Sequence, residues 1–332
     1  MSEAAVAHPH PGAVPRRRVS VIVPAWNAAD VIGPLVRAVL GQRVPGAEVE
    51  VVVVDDGSTD ATALQAREAG ARVVTAPRLP DGGNPAAARN YGARVATGDP
   101  LVFLDADCVP ADGWLAALLR AHDAGAAAVG GSLELPPGLP LSARCDYYCG
   151  WYHVHGRRPA GLVANHPPGN LSVRRAAFER TRGFTEVQPI AYAHEELAWQ
   201  AELRRGGATI QFEPRAVVYH YNRSGFGNLL RRNYRWAYSA LESKADTGAA
   251  RLAWLYRFPR LLVAASVPLA LPQAVYISWC WLRAGALEGV LLFPVVVAAR
   301  LAYAAGMMAG GLRWLGRRGR AGAAAGGRPR WE

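Results

Sequence analysis

The sequence predicts an α/β protein: a mostly parallel sheet with helices on both faces, followed by an apolar helical hairpin. Three observations carry this. From Val19 to Leu104, short β-branched runs alternate with stretches of helical periodicity. Three strand ends carry polar residues, at Trp26-Asn27, Asp55-Asp56 and Asp105-Asp107. Residues 261–282 hold no charge, a length that spans a hydrocarbon core about 30 Å thick.

The bulk composition narrows the partners. The chain has 332 residues, 51% of them hydrophobic and only 19% charged, with a net charge of +11 supplied mostly by Arg. Such a balance suits nucleic acid, anionic headgroups or phosphorylated substrates. Cys108, Cys145, Cys149 and Cys280 are too few and scattered for a disulfide framework, which points to a reduced, cytoplasmic setting. Cys145 and Cys149 share a helix face, but no second pair exists to complete a zinc site. Residues 1–18 are read as a disordered basic tail; no apolar core backs their charges, as a signal peptide requires.

Taken in order, Val19-Ser-Val-Ile-Val-Pro24 fits a buried parallel strand. Val31, Ile32, Leu35, Val36, Val39 and Leu40 then recur at helical spacing between Asn27 and Gln42. Glu50-Val-Val-Val-Val-Asp-Asp56 is a second strand, ending in acids. Gly57-Ser-Thr-Asp60 turns into a helix that Ser58, Thr59 or Asp60 caps. A third strand is expected at 71–75, a Gly-rich loop at 80–84 and a helix opened by Pro85 to Ala96. The run Leu101-Val-Phe-Leu-Asp-Ala-Asp-Cys108 closes the series, with two carboxylates at its end. In parallel sheets ligands bind outside the carboxyl ends of the strands, so these polar ends are expected to meet along one edge.

Four segments, Val21-Ile-Val-Pro-Ala-Trp-Asn27, Val53-Val-Asp-Asp-Gly-Ser-Thr-Asp60, Ala88-Arg-Asn-Tyr-Gly92 and Leu104-Asp-Ala-Asp107, resemble the family 2 glycosyltransferases in order and spacing. These have the GT-A fold, and the resemblance covers about residues 19–220. It implies a nucleotide-sugar donor. Pro24, Ala25, Trp26 and Asn27 would line the base site, and Asp55 would accept from the base, expected as uracil N3–H. Asp105 would sit near ribose and metal, and Asp107 would bind the metal. Hard carboxylate oxygens suit Mg²⁺ or Mn²⁺. Asp56 and Asp60 are read as turn and capping residues.

The second half adds an acceptor side. Another strand is expected at 126–135. The stretch from Cys145 to Arg158 is dense in aromatics and His, so Trp151 and His153 are candidate acceptor contacts. The resemblance adds Asn170 in a Gly-Asn turn. It also makes the acids after His194 the family's Glu-Asp pair, with Glu196 as general base and Glu195 beside it. Here Glu stands where Asp is usual, which moves the carboxylate by about 1.5 Å. His220, at the end of the strand 210–220, is a candidate third metal ligand or diphosphate contact. Arg232-Asn-Tyr-Arg-Trp236 echoes the Gln-x-x-Arg-Trp motif of processive synthases. Arg232 replaces the Gln, which argues against a processive polymerase; Arg235 would contact diphosphate and Trp236 would bound the acceptor.

The domains expected are thus the tail 1–18, a GT-A domain 19–222, a basic, aromatic interfacial helix region 223–256, a two-helix transmembrane hairpin 257–315 and a disordered tail 316–332. Arg300 interrupts the second apolar stretch. Arg257 and Arg260 precede the hairpin and Arg313, Arg317, Arg318 and Arg320 follow it, so the positive-inside rule places both ends and the catalytic domain in the cytoplasm. The expectation is an inverting, metal-dependent transferase at the inner face of the cytoplasmic membrane, acting on a lipid-linked or cell-envelope glycan acceptor. The competing class is a non-catalytic nucleotide-sugar- or lipid-binding membrane protein. Nucleic acid is not an expected partner, because the arginines cluster beside apolar helices where headgroups explain them. A glycosidase built on two carboxylates would leave the nucleotide-site residues unused.

Overall fold

Unbroken valine runs are stable as strands only where both faces of the sheet are covered. The structure, a computed structural model, describes residues 17–76, 84–187, 193–222, 224–247 and 253–324. In it those runs are β1 (Arg17–Ala25), β2 (Ala47–Asp55), β3 (Arg72–Thr75) and β4 (Leu101–Leu104). β1 pairs in parallel with β2 and β4, and β2 with β3. Successive residues divide between two cores. Val21 and Val23 join the core that takes in α1 (Ala29–Leu40), whereas Ile22 joins the one beneath α3 (Pro85–Val95). Burying one such side chain stabilises by about 1.5–3 kcal/mol. The approach of α3 depends on Gly92, where a Cβ would lie 2.4 Å from Ile22 Cγ2 and 2.9 Å from Val54 Cγ2. Between β2 and β3 runs α2 (Thr62–Glu68).

Past β4 the sheet becomes mixed. β5 (Cys108–Pro110), β6 (Ala128–Glu134), β7 (Gly161–Val163), β8 (Asn170–Val173) and β9 (Ile210–His220) complete the spatial order β3-β2-β1-β4-β8-β6-β9-β5, with β7 on β9. β8 runs antiparallel to β4 and β6, while β6 and β9 are parallel. The chain winds outward in both directions from β1 and β4, which leaves a crevice at their carboxyl ends. Four more helices flank the sheet: α4 (Trp114–Asp123), α5 (Leu141–Gly150), α6 (Arg175–Phe178) and α7 (Leu197–Arg205).

The C-terminal region comprises α8 (Phe226–Thr247), a 3₁₀ turn at Ala253–Arg257, α9 (Pro259–Ala265), α10 (Ala270–Arg283), α11 (Leu287–Leu291) and α12 (Phe293–Ala324). The first apolar stretch, expected as one span, is the pair α9 and α10, bent by 79°. Pro268 lies in the break; it lacks the N–H that would continue the helix and crowds the preceding turn. The second stretch is continuous, and Phe293–Arg318, 26 residues, is long and apolar enough to cross a membrane, its most apolar 18-residue window having a mean hydropathy of 1.5. Arg300 does not interrupt it. Its Nη2 donates to Asn233 Oδ1 on α8, and the guanidinium lies 4.7 Å from the Tyr303 ring centre.

α8, expected as an interfacial helix, turns one face to protein. Leu229, Ala237, Ala240 and Leu241 are buried. Gly306 and Gly310 of α12 meet its backbone so closely that a Cβ would lie 2.1 Å from Tyr234 O or 1.9 Å from Tyr238 O. Phe226, Leu230 and Tyr234 remain exposed. Residues 316–324, expected as tail, continue α12. Residues 1–16 and 325–332 lie outside the described residues, as does the Gly-rich loop at 80–83.

Candidate active site

The ends of β1 and β2 are stitched together by side chains from the turn that follows β2. Ser58 Oγ accepts from Asn27 N at 3.0 Å, and Asn27 Oδ1 accepts from Thr59 N at 2.9 Å. Asn27 holds a positive φ of 48°, a conformation Asn tolerates better than most residues. Asp55 Oδ1 accepts from Ser58 N at 3.0 Å, and Asp60 accepts from Ala29 N and Thr62 N at 3.2 and 3.0 Å. Asp60 thereby fixes the starts of both α1 and α2. Pro24 is partly buried and Ala25 buried, while Trp26 stands 59% exposed beside them, a free aromatic face where a base could stack.

At the neighbouring end, β4 stops and the chain turns through Asp105, Ala106 and Asp107 into β5. β5 pairs antiparallel with β9 and puts Cys108 opposite His220. His220 Nε2 lies 3.6 Å from Asp107 Oδ1, and donor atoms of Asp107, Cys108 and His220 all fall within 4.8 Å of one another. A carboxylate and an imidazole at this spacing fit a hard divalent cation such as Mg²⁺ or Mn²⁺. Cys108 does not fit as a ligand, since burial and the charges of Asp107 and Asp105 hold its thiol well above the ordinary range, in the protonated form. Gly169 lets the following loop come close, for a Cβ there would sit 2.9 Å from Asp105 Oδ2.

Arg89 joins this edge to the acids before α7. Its Nη2 reaches Asp105 Oδ1 at 2.5 Å and its Nη1 reaches Glu195 Oε1 at 2.7 Å, with Arg89 and Glu195 both buried. Burial opposes the guanidinium charge, but Asp105 and Glu195 hold its pKa above the usual value. Burial also raises Glu195, against the pull of Arg89. Among the described residues Glu196 forms no ion pair, and burial followed by the charge of Glu195 pushes it up to about 8. The preceding residue, His194, takes a φ of 70°, a strain of about 1–3 kcal/mol for a non-glycine residue. α8 holds it there: Ser239 Oγ lies 3.3 Å from His194 Nδ1, and Ser243 Oγ donates to His194 O at 3.4 Å.

Beyond the carboxylates opens a cleft of about 340 Å³, walled by Asp105, Asp107 and His220 on one side and Arg231, Arg232 and Arg235 of α8 on the other. Asp146 of α5 ties the walls together. It pairs with Arg232, and its Oδ2 accepts from Asn222 Nδ2 at 2.7 Å. Asn222 Oδ1 in turn lies 3.0 Å from His220 Nδ1. Burial raises Asp146 and the nearby Arg232 counters it. Arg232 also lies 4.4 Å over the Trp236 ring. Arg235 faces the same cleft.

Four acceptor candidates separate into two pairs. Trp151 and Trp236 line the cleft with their ring centres 5.6 Å apart. Asn170 does not face it: the side chain is fully buried, accepts from Trp114 Nε1 at 2.9 Å, and donates to Ser132 O and Ala216 O at 2.9 and 2.8 Å. All its amide atoms are spent holding the sheet, so its assignment to the acceptor is withdrawn. His153 is absent from the cleft lining and packs against Tyr152, the ring centres 5.2 Å apart. His155 is a packing residue on Trp281, at 4.7 Å. Sequence reasoning gave no role to Arg89, Asp146 or Asn222. Arg89 lay inside a quoted motif, which was its one available signal.

The chain as a whole is similar to known proteins. The family model described as Glycosyl transferase family 2 matches residues 20–181. Pre-mycofactocin glycosyltransferase of Mycobacterium tuberculosis is 31% identical over 247 residues, covering 72% of this chain and 50% of that protein. Glycosyltransferase AglE of Haloferax volcanii is 30% identical over 225 residues, covering 65% of this chain and 71% of that protein. The chain thus spans about half the length of the first curated relatives it matches. Among solved structures, a mannosyltransferase from Pyrobaculum calidifontis in complex with GDP-Man and Mn²⁺ superposes with a TM-score of 0.58 at 24% identity, covering 90% of this chain and 87% of that one. That likeness establishes the fold.

Proposed function

This chain belongs to glycosyltransferase family 2, and from that premise we propose that it is an inverting, metal-dependent glycosyltransferase of the membrane surface. The donor is a nucleotide sugar, read as UDP-linked, and the acceptor is a hydroxyl on a lipid-linked or cell-envelope glycan. The supporting observation is the bridge from Asp105 through Arg89 to Glu195, which sets the acids before α7 across from the strand-end carboxylates. A transfer site needs that arrangement, with leaving-group chemistry on one wall and proton removal on the other.

Trp26 and Asp55 receive the base, and Asp105 lies towards the ribose. Asp107, Asp105 and His220 would hold a divalent cation, which when bound offsets the charge of the departing diphosphate. The solved mannosyltransferase carries Mn²⁺ with its donor, in keeping with this role. Arg235, exposed on the opposite wall, meets the diphosphate. Glu195 is committed to Arg89, which leaves Glu196 as the base; its raised pKa makes it a stronger one. It takes the acceptor proton as that oxygen bonds to the anomeric carbon and the bond to diphosphate breaks on the other face. Trp151 and Trp236 bound the acceptor. The apolar C-terminal helices attach the domain to the cytoplasmic face of the inner membrane, where nucleotide sugars are available.

The direct test incubates the protein with a panel of nucleotide sugars and membrane lipid extract, and follows products by mass spectrometry. A single donor should yield a lipid product, and Asp107→Ala should abolish it without changing the melting temperature. Full activity in that variant refutes the metal assignment.

A further inference from the structure

We infer that α9–α12 attach the enzyme to one leaflet of an anionic bilayer and do not cross it. The inference rests on the membrane-attached reading above. Its decisive observation is where the corner between α10 and α11 sits. In a spanning hairpin that corner emerges on the far side, about 30 Å of hydrocarbon away from the catalytic domain. Here it is fastened to that domain. Trp281 Nε1 donates to Tyr148 O at 2.8 Å, Tyr148 OH donates to Glu288 at 3.1 Å, and Arg157 donates to Ala284 O at 2.9 Å. Arg144 of α5 forms an ion pair with Glu288 as well.

The helices agree with this placement. α10 has 14 residues, about 21 Å at the helical rise, and meets α9 at 79°. Neither arm reaches across a bilayer. α12 is long enough, but it starts beside that fastened corner and runs along α8, whose Tyr234 and Tyr238 carbonyls it touches at Gly306 and Gly310. Further along, Arg317 donates to Glu242 of α8 at 2.8 Å. α8 is itself bound to the catalytic domain through His194 and Asp146. A helix held along its length against a helix bearing Arg231, Arg232, Arg235 and Glu242 cannot be ringed by hydrocarbon.

The outward side suits a leaflet. Trp254, Phe258, Leu261, Leu271, Trp279 and Leu291 are each between 47% and 80% exposed, an apolar display beyond what water-facing surfaces usually carry. Arg257, Arg260 and Arg283 are exposed around it, positioned for anionic headgroups. Trp at the edge matches the interfacial preference of its amphipathic ring. Insertion to about 5–10 Å, the depth of interfacial helices, would submerge side chains exposed in this way.

The test uses the full chain, first with vesicles of phosphatidylcholine with or without phosphatidylglycerol. The protein should float with the anionic vesicles and be released by alkaline carbonate. Leu271→Glu with Trp279→Glu should lower the partition coefficient at least about tenfold through lost apolar burial, with melting unchanged. Topology is then read with Arg283→Cys in a Cys280→Ser background, using a membrane-impermeant maleimide. Labelling in inside-out but not right-side-out vesicles supports the one-leaflet placement. Retention after carbonate, or labelling of Cys at 283 only from the outer face, overturns it while leaving membrane attachment intact. Failure to bind either vesicle overturns the membrane-attached reading itself, and the inference with it.

Discussion

The two walls of the cleft are built by different means. The donor wall, at the ends of β1, β2 and β4, is held by strand pairing and by turn hydrogen bonds within a few residues of each carboxylate. The opposite wall, from His194 to Glu196 and along α8, is held by side chains that meet across long stretches of sequence: Arg89 with Glu195, Asp146 with Arg232, His194 with Ser239. The first wall inherits its rigidity from the sheet. The second has to make its own, from buried charge pairs that stabilise little as pairs but are costly to break. Damage to the packing beneath the donor wall should therefore appear mainly as lost stability, whereas loss of a chemical group from either wall should appear as lost turnover.

Arg89 is where the walls meet, so its removal breaks the distinction. Arg89→Leu should lower stability by about 3–5 kcal/mol, since it strands Asp105 and Glu195 without their partner, and should abolish transfer as well. Chemical denaturation and a donor-turnover assay on the same sample check both. Glu196→Gln sharpens the comparison: turnover should fall about 10²–10⁴-fold with the melting temperature held. In the parent enzyme the base must lose its proton to act, and Glu196 is pushed up to about 8. The rate should accordingly rise with pH through about 8 and level off above it, and a limb near the ordinary carboxylate range of about 4 would remove Glu196 from the role.

Asp146→Asn should reduce turnover about 10–100-fold, the usual scale for a residue that orients a ligand-holding side chain. Divalent-cation dependence should weaken with it, because Asn222 and His220 lose their anchor; titration of activity against Mn²⁺ reads that shift. The smallest effect on catalysis belongs to the donor wall's packing. Gly92→Ala should cost about 1–3 kcal/mol by pushing α3 off Ile22 and Val54, with the turnover of the folded fraction unchanged. A large drop in turnover there would show that the sheet wall is no more rigid than the other.

The same contrast explains what the sequence made legible. β1, β2 and β4 were readable because each apolar run ends at a polar residue, and the convergence of those ends follows from parallel strand order. Asp146 lay hidden in an aromatic-rich stretch, and its partners Asn222 and Arg232 come some 76 and 86 residues later. Periodicity carries no signal for such a pairing. Asn170 misled because a Gly-Asn turn reads the same whether its amide faces a ligand or three buried partners. The apolar stretch at 261–282 fitted a span in length and composition; periodicity gave no sign of the 79° bend at the break that holds Pro268, or of the docking of Trp281 on Tyr148 O.

The contact between α8 and α12 has a further consequence, for the order in which the enzyme is made. A ribosome releases the chain from its N-terminus, and domains fold as they emerge. β1 to β4 are complete once residue 104 is free, so the donor wall assembles early. α8 emerges next, carrying Arg231, Arg232 and Arg235, but the glycines that back it and the arginine that pairs with Glu242 lie at 306, 310 and 317. Half of the cleft thus waits for residues made well after α8 itself. A chain shortened before residue 300 should keep its nucleotide-facing sheet and lose the arginine wall, a donor site with nothing opposite it.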